Sequence, residues 1–194
     1  MVDELNEFKR GDIIVRFGVV HKILKVEKIE NDDGKKDKII HFEPVYKTRS
    51  NETLKLSIPL NNIDKTTIRL PVLKTILNNE LKFLRQGEYE RTPFNQLKVK
   101  RIISTNELHD VTQVLKTLWE EKRDEERNFT ISKRNTFNMV MTRFKQETAY
   151  VLGMELLEAE KKVESALDTG WNRQLKLRQN KKENKKEQKT LDKN

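Results

Sequence analysis

Cysteine is absent from the 194 residues, which removes disulfides, thiol catalysis and cysteine-based metal sites together. A reducing, cytoplasmic setting suits such a chain. Glycine is scarce, with six residues, and none forms a phosphate-cradling loop. The three histidines (His21, His41 and His109) are scattered, with no H-E-x-x-H or similar metal spacing. No apolar run approaches the roughly 18 residues that a membrane span needs. The opening MVDELNEFKR has no apolar h-region, so neither secretion nor membrane insertion is expected. Catalysis, a metal, a cofactor and a small-molecule substrate all lack support in these residues.

Charge is what the chain has in quantity. Charged residues make up 37% and hydrophobic ones 35%, so a modest core under a heavily ionised surface is expected. The net charge of +9 is unevenly spread: residues 172–194 hold nine Lys/Arg against three Asp/Glu, which is +6 of the total. Such an end serves solubility, or it attracts a polyanion by displacing counterions from phosphates.

The first third is strand-like. Ile13, Ile14 and Val15 follow a charged turn, Gly18 interrupts, and a second β-rich run extends from Val19 to Ile29. Asn31-Asp32-Asp33-Gly34 is a hairpin signal, because Asp-Gly tolerates positive φ. Further runs cover Ile39 to Tyr46 and Leu54 to Leu60. Short strands this closely spaced, with one face apolar and the other polar, predict a small, strongly bent antiparallel barrel. Its open edges are able to accept a strand from a partner.

From Val72 onward the period changes to helical. A connector helix is expected over Val72–Arg85, ended by Gln86-Gly87. In the stretch YERTPFNQLKVKRII, Pro93 suits the first turn of a helix. Arg91, Lys98, Lys100 and Arg101 cluster there with no acid between them, and Arg85 lies just upstream. Asn106 or Thr105 is the expected cap of the next helix, whose apolar stripe is Leu108, Val111, Val114, Leu115 and Leu118. Trp119 extends that stripe as core, and the EEKRDEER run from Glu120 to Arg127 is its solvated end. Thr130 or Ser132 is expected to cap a long helix that runs to about Leu152, with Lys133, Arg134, Arg143 and Lys145 partly on its other faces. Gly153 breaks it, and a last amphipathic helix through Leu167 closes a small bundle. Beyond Gly170, fraying helix and then disorder is expected, because too few apolar residues remain to offset ordering entropy.

Together these elements carry a resemblance. F-x-x-G-D-I-I-V from Phe8, a glycine-valine pair soon after, and I-P-L-N-N-I followed by T-I-R-L resemble the RNA-polymerase-interacting domain of the CarD/CdnL/TRCF family. The segment VTQVLKTLWEEKRDEERNFTISKRNTFNMVMTRFKQE is similar to the helical C-terminal domain of the stand-alone CarD proteins. The likeness covers roughly residues 8–168. It implies an α+β chain: a Tudor-like barrel over residues 1–71, a helical DNA-contacting bundle over 72–169, and a basic tail over 170–194. The ATPase motifs of the helicase members are missing, so a repair translocase is not implied.

The resemblance further implies a bacterial transcription regulator with two partners, the RNA polymerase β subunit and promoter DNA. The candidate docking positions are Arg49, Lys55 and Ser57; relatives carry a basic residue where Ser57 stands. Thr67 replaces the glycine usual before Ile68-Arg69. Phe94 falls close to the tryptophan that relatives wedge into the minor groove at the upstream edge of the bubble. A ring beside cations has that chemistry, although phenylalanine lacks the indole N–H. Its alternative role is a staple packed on its own domain. The candidate DNA contacts are therefore Arg91, Phe94, Lys98, Lys100, Arg101, Lys133 and Arg134, each also accounted for as ordinary surface or core. Three functions follow: a monomeric, nucleoid-associated adaptor between polymerase and promoter; a stand-alone basic DNA-binding protein; or a protein–protein module that pairs by its sheet edge.

Overall fold

Alternating apolar and polar residues fold the described part of the first third into five antiparallel strands: β1 (Ile13–Arg16), β2 (Val19–Glu30), β3 (Lys36–Pro44), β4 (Leu56–Pro59) and β5 (Ile68–Arg69). The computed structural model describes residues 8–30, 36–87, 89, 95–124 and 128–191. Strand order is β4-β3-β2-β1-β5, a curled half-barrel. Phe17-Gly18 joins β1 to β2 with both residues at positive φ (49° and 73°), the two-residue turn whose twist matches paired strands. The turn assigned to Asn31–Gly34 lies outside the described residues, but the strands that flank it pair as a hairpin, Glu30 opposite Lys36. A register shift between Ile23 and Lys25 bends the long β2, as bulges do.

The concave side of the sheet holds Phe8, Ile14, Ile23, Ile40, Phe42, Ile58, Ile63 and Ile68. A 3-10 helix (Leu60–Lys65) between β4 and β5 brings Ile63 into this cluster. The expected wet outer face does not hold everywhere. At β1 and the start of β2 both faces are covered: Val15 and Val20 are fully buried alongside Ile14 and Ile23. The cover on that side is the helix α4 (Ile131–Leu152).

Among the described residues five helices follow: α1 (Lys74–Leu84), α2 (Gln96–Ser104), α3 (Leu108–Arg123), α4 (Ile131–Leu152) and α5 (Leu156–Leu191). Thr130 caps α4 by accepting from Lys133 N, and Gly153 ends it at φ 65°, where glycine avoids the Cβ penalty. α3 touches α1, α2, α4 and α5. That position corrects part of the solvated end expected of α3: Glu120 and Glu121 are buried because neighbouring helices enclose them, whereas Lys122 and Arg123 are exposed as expected and 125–127 lie outside the described residues. Trp119 is core as expected, packed on Phe137 at 5.8 Å.

Beyond Gly170, where fraying helix was expected, the backbone of α5 continues as helix to Leu191. Lys, Gln, Leu, Arg and Glu there are good helix formers, although three Asn interrupt them. Its passage over α1 depends on Gly170, where a Cβ would meet the Leu84 carbonyl oxygen. The division drawn at residue 170 thus falls inside one helix. Among the described residues, no helix is long and apolar enough to cross a membrane.

Candidate functional site

The first candidate surface is the β4 edge. Arg49, Lys55 and Ser57 are all exposed, and β4 pairs only with β3 among the described strands. The loop that delivers it is tied by Asn51: its carboxamide oxygen accepts from Thr48 N, and its Nδ2 donates to the Tyr46 carbonyl at 3.2 Å. Ser57 lies opposite His41, which lies opposite Lys25. His41 and Lys25 both reach Glu27, at 3.0 and 2.7 Å. The outer row of the sheet is therefore polar and ends in a short serine side chain, with unpaired backbone beside it. Such an edge accepts an added strand through main-chain hydrogen bonds.

The second candidate surface lies between α2 and the start of α4. Burial of Val99 and Ile103 turns the opposite side of α2 outward, where Lys100 and Arg101 are exposed. A groove of about 440 Å³ separates the helices, lined by Gln96, Lys100, Ile131, Ser132, Asn135, Thr136 and Met139. Leu97 and Ile131 stand 78% and 75% exposed beside it. Lys98 is a residue of α2; Arg91 and Phe94 lie outside the described residues.

The basic candidates on α4 divide sharply. Arg134 is exposed. Lys133 is held 2.9 Å from Glu121 and donates to the Asn128 carbonyl, so a phosphate would have to compete with a buried carboxylate. Arg143 is not a surface cation: it packs across Gly18, and its guanidinium donates to the Ile103 carbonyl at 3.2 Å. Burial lowers its pKa. Lys145 is paired with Glu160 at 2.9 Å.

Between the two surfaces lies a polar joint that the sequence alone did not disclose. Arg69 at the end of β5 makes a two-pronged pair with Glu147 of α4, Nη1 to Oε1 at 2.6 Å and Nη2 to Oε2 at 2.7 Å. The Glu147 side chain is 1% exposed, and its Oε1 also accepts from Val72 N. Arg69 Nε donates to the Asn106 carbonyl at 2.7 Å. Asn106 sits at φ 63°, which turns its side chain into the sheet. There the oxygen accepts from Gly18 N, and Nδ2 donates to the carbonyls of Val15 and Thr67. Asn106 is thus not the helix cap expected; Glu107 occupies that position on α3 without a side-chain bond. Gln146 completes the set by accepting from Val20 N. Two-pronged geometry and satisfied neighbours are what let a buried ion pair overcome its desolvation.

A signal for this joint existed in the sequence. Glu147 falls among the apolar positions of α4, beside Phe144, Thr148 and Val151, and a buried acid requires a cation. Arg69 was visible only as part of the T-I-R-L segment.

The end of α1 and the residues just after it are held as firmly. Lys116 Nζ donates to the carbonyls of Phe83 and Gln86 at 2.8 and 2.7 Å, and lies over the rings of Phe83 and Tyr89. Burial pulls its pKa down to about 8, against the raising influence of Glu120. From the other side Arg173 of α5 donates to the Arg85 carbonyl. Compared with protein-family models and with curated proteins, the chain finds no match.

Proposed function

We propose that this chain is a CarD-like transcription regulator. The sheet, as a small Tudor-like barrel, docks on the RNA polymerase β subunit through the β4 edge around Arg49, Lys55 and Ser57. The helices, as a bundle, contact promoter DNA at the upstream edge of the bubble through Phe94 and the basic positions of α2. The observation that carries this reading is the open β4 edge, set on a sheet that Arg69, Asn106 and Glu147 tie to the helices. A partner held at one surface is thereby held at a set distance from the other.

The mechanism is differential binding. A bridging protein that contacts open-complex DNA better than closed-complex DNA shifts the equilibrium by that difference and no more. No group of this chain takes part in bond making, and a monomer located in the cytoplasm on the nucleoid suffices.

Charge reversal of the edge tests the docking. The full chain should retain a polymerase β fragment on a column, and Arg49→Glu with Lys55→Glu should lose it. Equal retention would remove this edge from the interface. Phe94→Ala should keep β binding and shorten the extra open-complex lifetime; an unchanged lifetime would take Phe94 out of the site. A second reading, DNA binding without polymerase contact, draws on the concentration of positive charge in residues 172–194. Duplex binding with a steep salt slope and no retention of β would favour it.

A further inference from the structure

One side of α4 changes its surroundings part-way along. Asn135, Met139 and Gln146 share that side at helical spacing. At Gln146 the sheet covers it, through the Val20 amide, and Arg143 close by is folded under Gly18. Towards the start of the helix the same side is open, and the groove of about 440 Å³ lies between it and α2. The core stripe of α4 (Phe137, Val140, Met141 and Phe144) faces the other way and is buried.

Two properties of this groove occur together. Its margins are apolar: Ile131 and Met139 on α4 and Leu97 on α2 are all exposed. Large aliphatic side chains gathered in water around one hollow mark a surface suited to being covered. The groove is also positive. α2 has no Asp or Glu, and α4 has none from Ile131 to Gln146. Lys100 lies in the lining, and Arg101 and Arg134 stand exposed on the same two helices. From Ile131 to Met139 the wall runs about 12 Å. Anchors at i and i+7 of a second helix span about 10.5 Å.

We propose that the groove between α2 and α4 seats an acidic amphipathic helix of a partner protein. Its apolar anchors cover Leu97, Ile131 and Met139, and its flanking carboxylates face Lys100 and Arg101. The short side chains of Ser132 and Thr136 between the apolar margins leave the depth that anchors enter. A duplex fits less well. It offers phosphates but little apolar surface, and these aliphatic side chains flank a hollow instead of projecting as one wedge. A second copy of the chain is also a poor occupant, because it carries the same net charge of +9. The inference does not rest on polymerase docking. It bears on the proposed DNA surface, because a seated helix takes Lys100 away from phosphate.

The test uses the full chain and a fluorescent, stapled peptide helix with leucines at i, i+4 and i+7 and glutamates on its remaining sides. A peptide of the same composition with scrambled leucines should bind at least about tenfold more weakly. Leu97→Ser with Ile131→Ser should weaken binding of the first peptide by a similar factor. Lys100→Glu should weaken it several-fold at low salt and less at high salt. Leu73→Ser, at a similarly exposed aliphatic side chain outside the groove, should change nothing. Circular dichroism should show the fold retained in each variant, since all these positions are at the surface. Equal binding of the scrambled peptide, or unchanged affinity in the Leu97, Ile131 double variant, would overturn the proposal. So would a dimer in light scattering that the double variant abolishes, which would make the occupant a second copy. Loss of duplex affinity in the double variant with peptide affinity kept would assign these side chains to nucleic acid, and would overturn it as well. The peptide assay contains neither polymerase nor DNA. Its failure therefore leaves the docking reading untouched, and absence of β retention leaves the groove untouched.

Discussion

Between the sheet and α4, cations are turned inward: Arg69 grips a carboxylate that is almost fully buried, and Arg143 lies folded under Gly18. Along the far half of α5 the same residue types recur turn after turn, with few acids near them in sequence. The difference teaches that positive charge here is not all of one kind. At the joint it orders the fold, in low dielectric where a broken pair is expensive. Net charge alone, +9 over the whole chain, does not show the difference.

The contrast is broken most severely at the joint. Glu147→Ala leaves the Arg69 guanidinium without its partner, and chemical denaturation should show a loss of about 3–5 kcal/mol. A loss below about 1 kcal/mol would mean that the joint is ornamental. Gly18→Ala comes next. The glycine sits at φ 73°, and an added Cβ would lie 2.6 Å from Arg143 Cδ, so a loss of about 1–3 kcal/mol is expected from strain and displacement. The same measurement should find Lys25→Ala close to neutral, within about 0.5 kcal/mol, although Lys25 and Glu27 are as near each other as Arg69 and Glu147.

Lys116 sharpens the comparison by pH. Its pKa falls from an ordinary 10.5 to about 8 in the fold, so between those values the unfolded chain binds more protons than the folded one. Stability from this group therefore rises as pH climbs from 8 to 10.5, and is least below 8. Lys116→Met should remove that rise, seen as denaturation midpoints that no longer climb across the window. His21 acts in the same direction at lower pH. Burial lowers its pKa below 6.5, so its contribution is full above 6.5 and declines as pH falls toward the lowered folded value.

Much of the architecture was legible. Period-two alternation gave the strands, period 3.6 gave the helices, and Gly153 and Thr130 marked ends that depend only on neighbours in sequence. What stayed hidden depends on neighbours in space. Ser104-Thr105-Asn106-Glu107 looks like a helix start, yet Asn106 serves the sheet because a strand lies against it. Arg143 and Lys133 look like surface cations on a helical wheel, and only packing shows that one is covered and the other paired. The foothold of α5 between Gly170 and Leu177, where glycine lets the helix approach Leu84, likewise depends on packing. Arg91 and Phe94 fall outside the described residues.

The central claim is that one chain holds polymerase by its sheet edge and promoter DNA by its helices. Open-complex lifetime on a single promoter, measured with the full chain and with the Arg49→Glu, Lys55→Glu variant, tests it most directly. The account predicts that the wild-type chain changes the lifetime and that the variant does not, while both bind free duplex equally. An equal effect of the two proteins on the lifetime would contradict it.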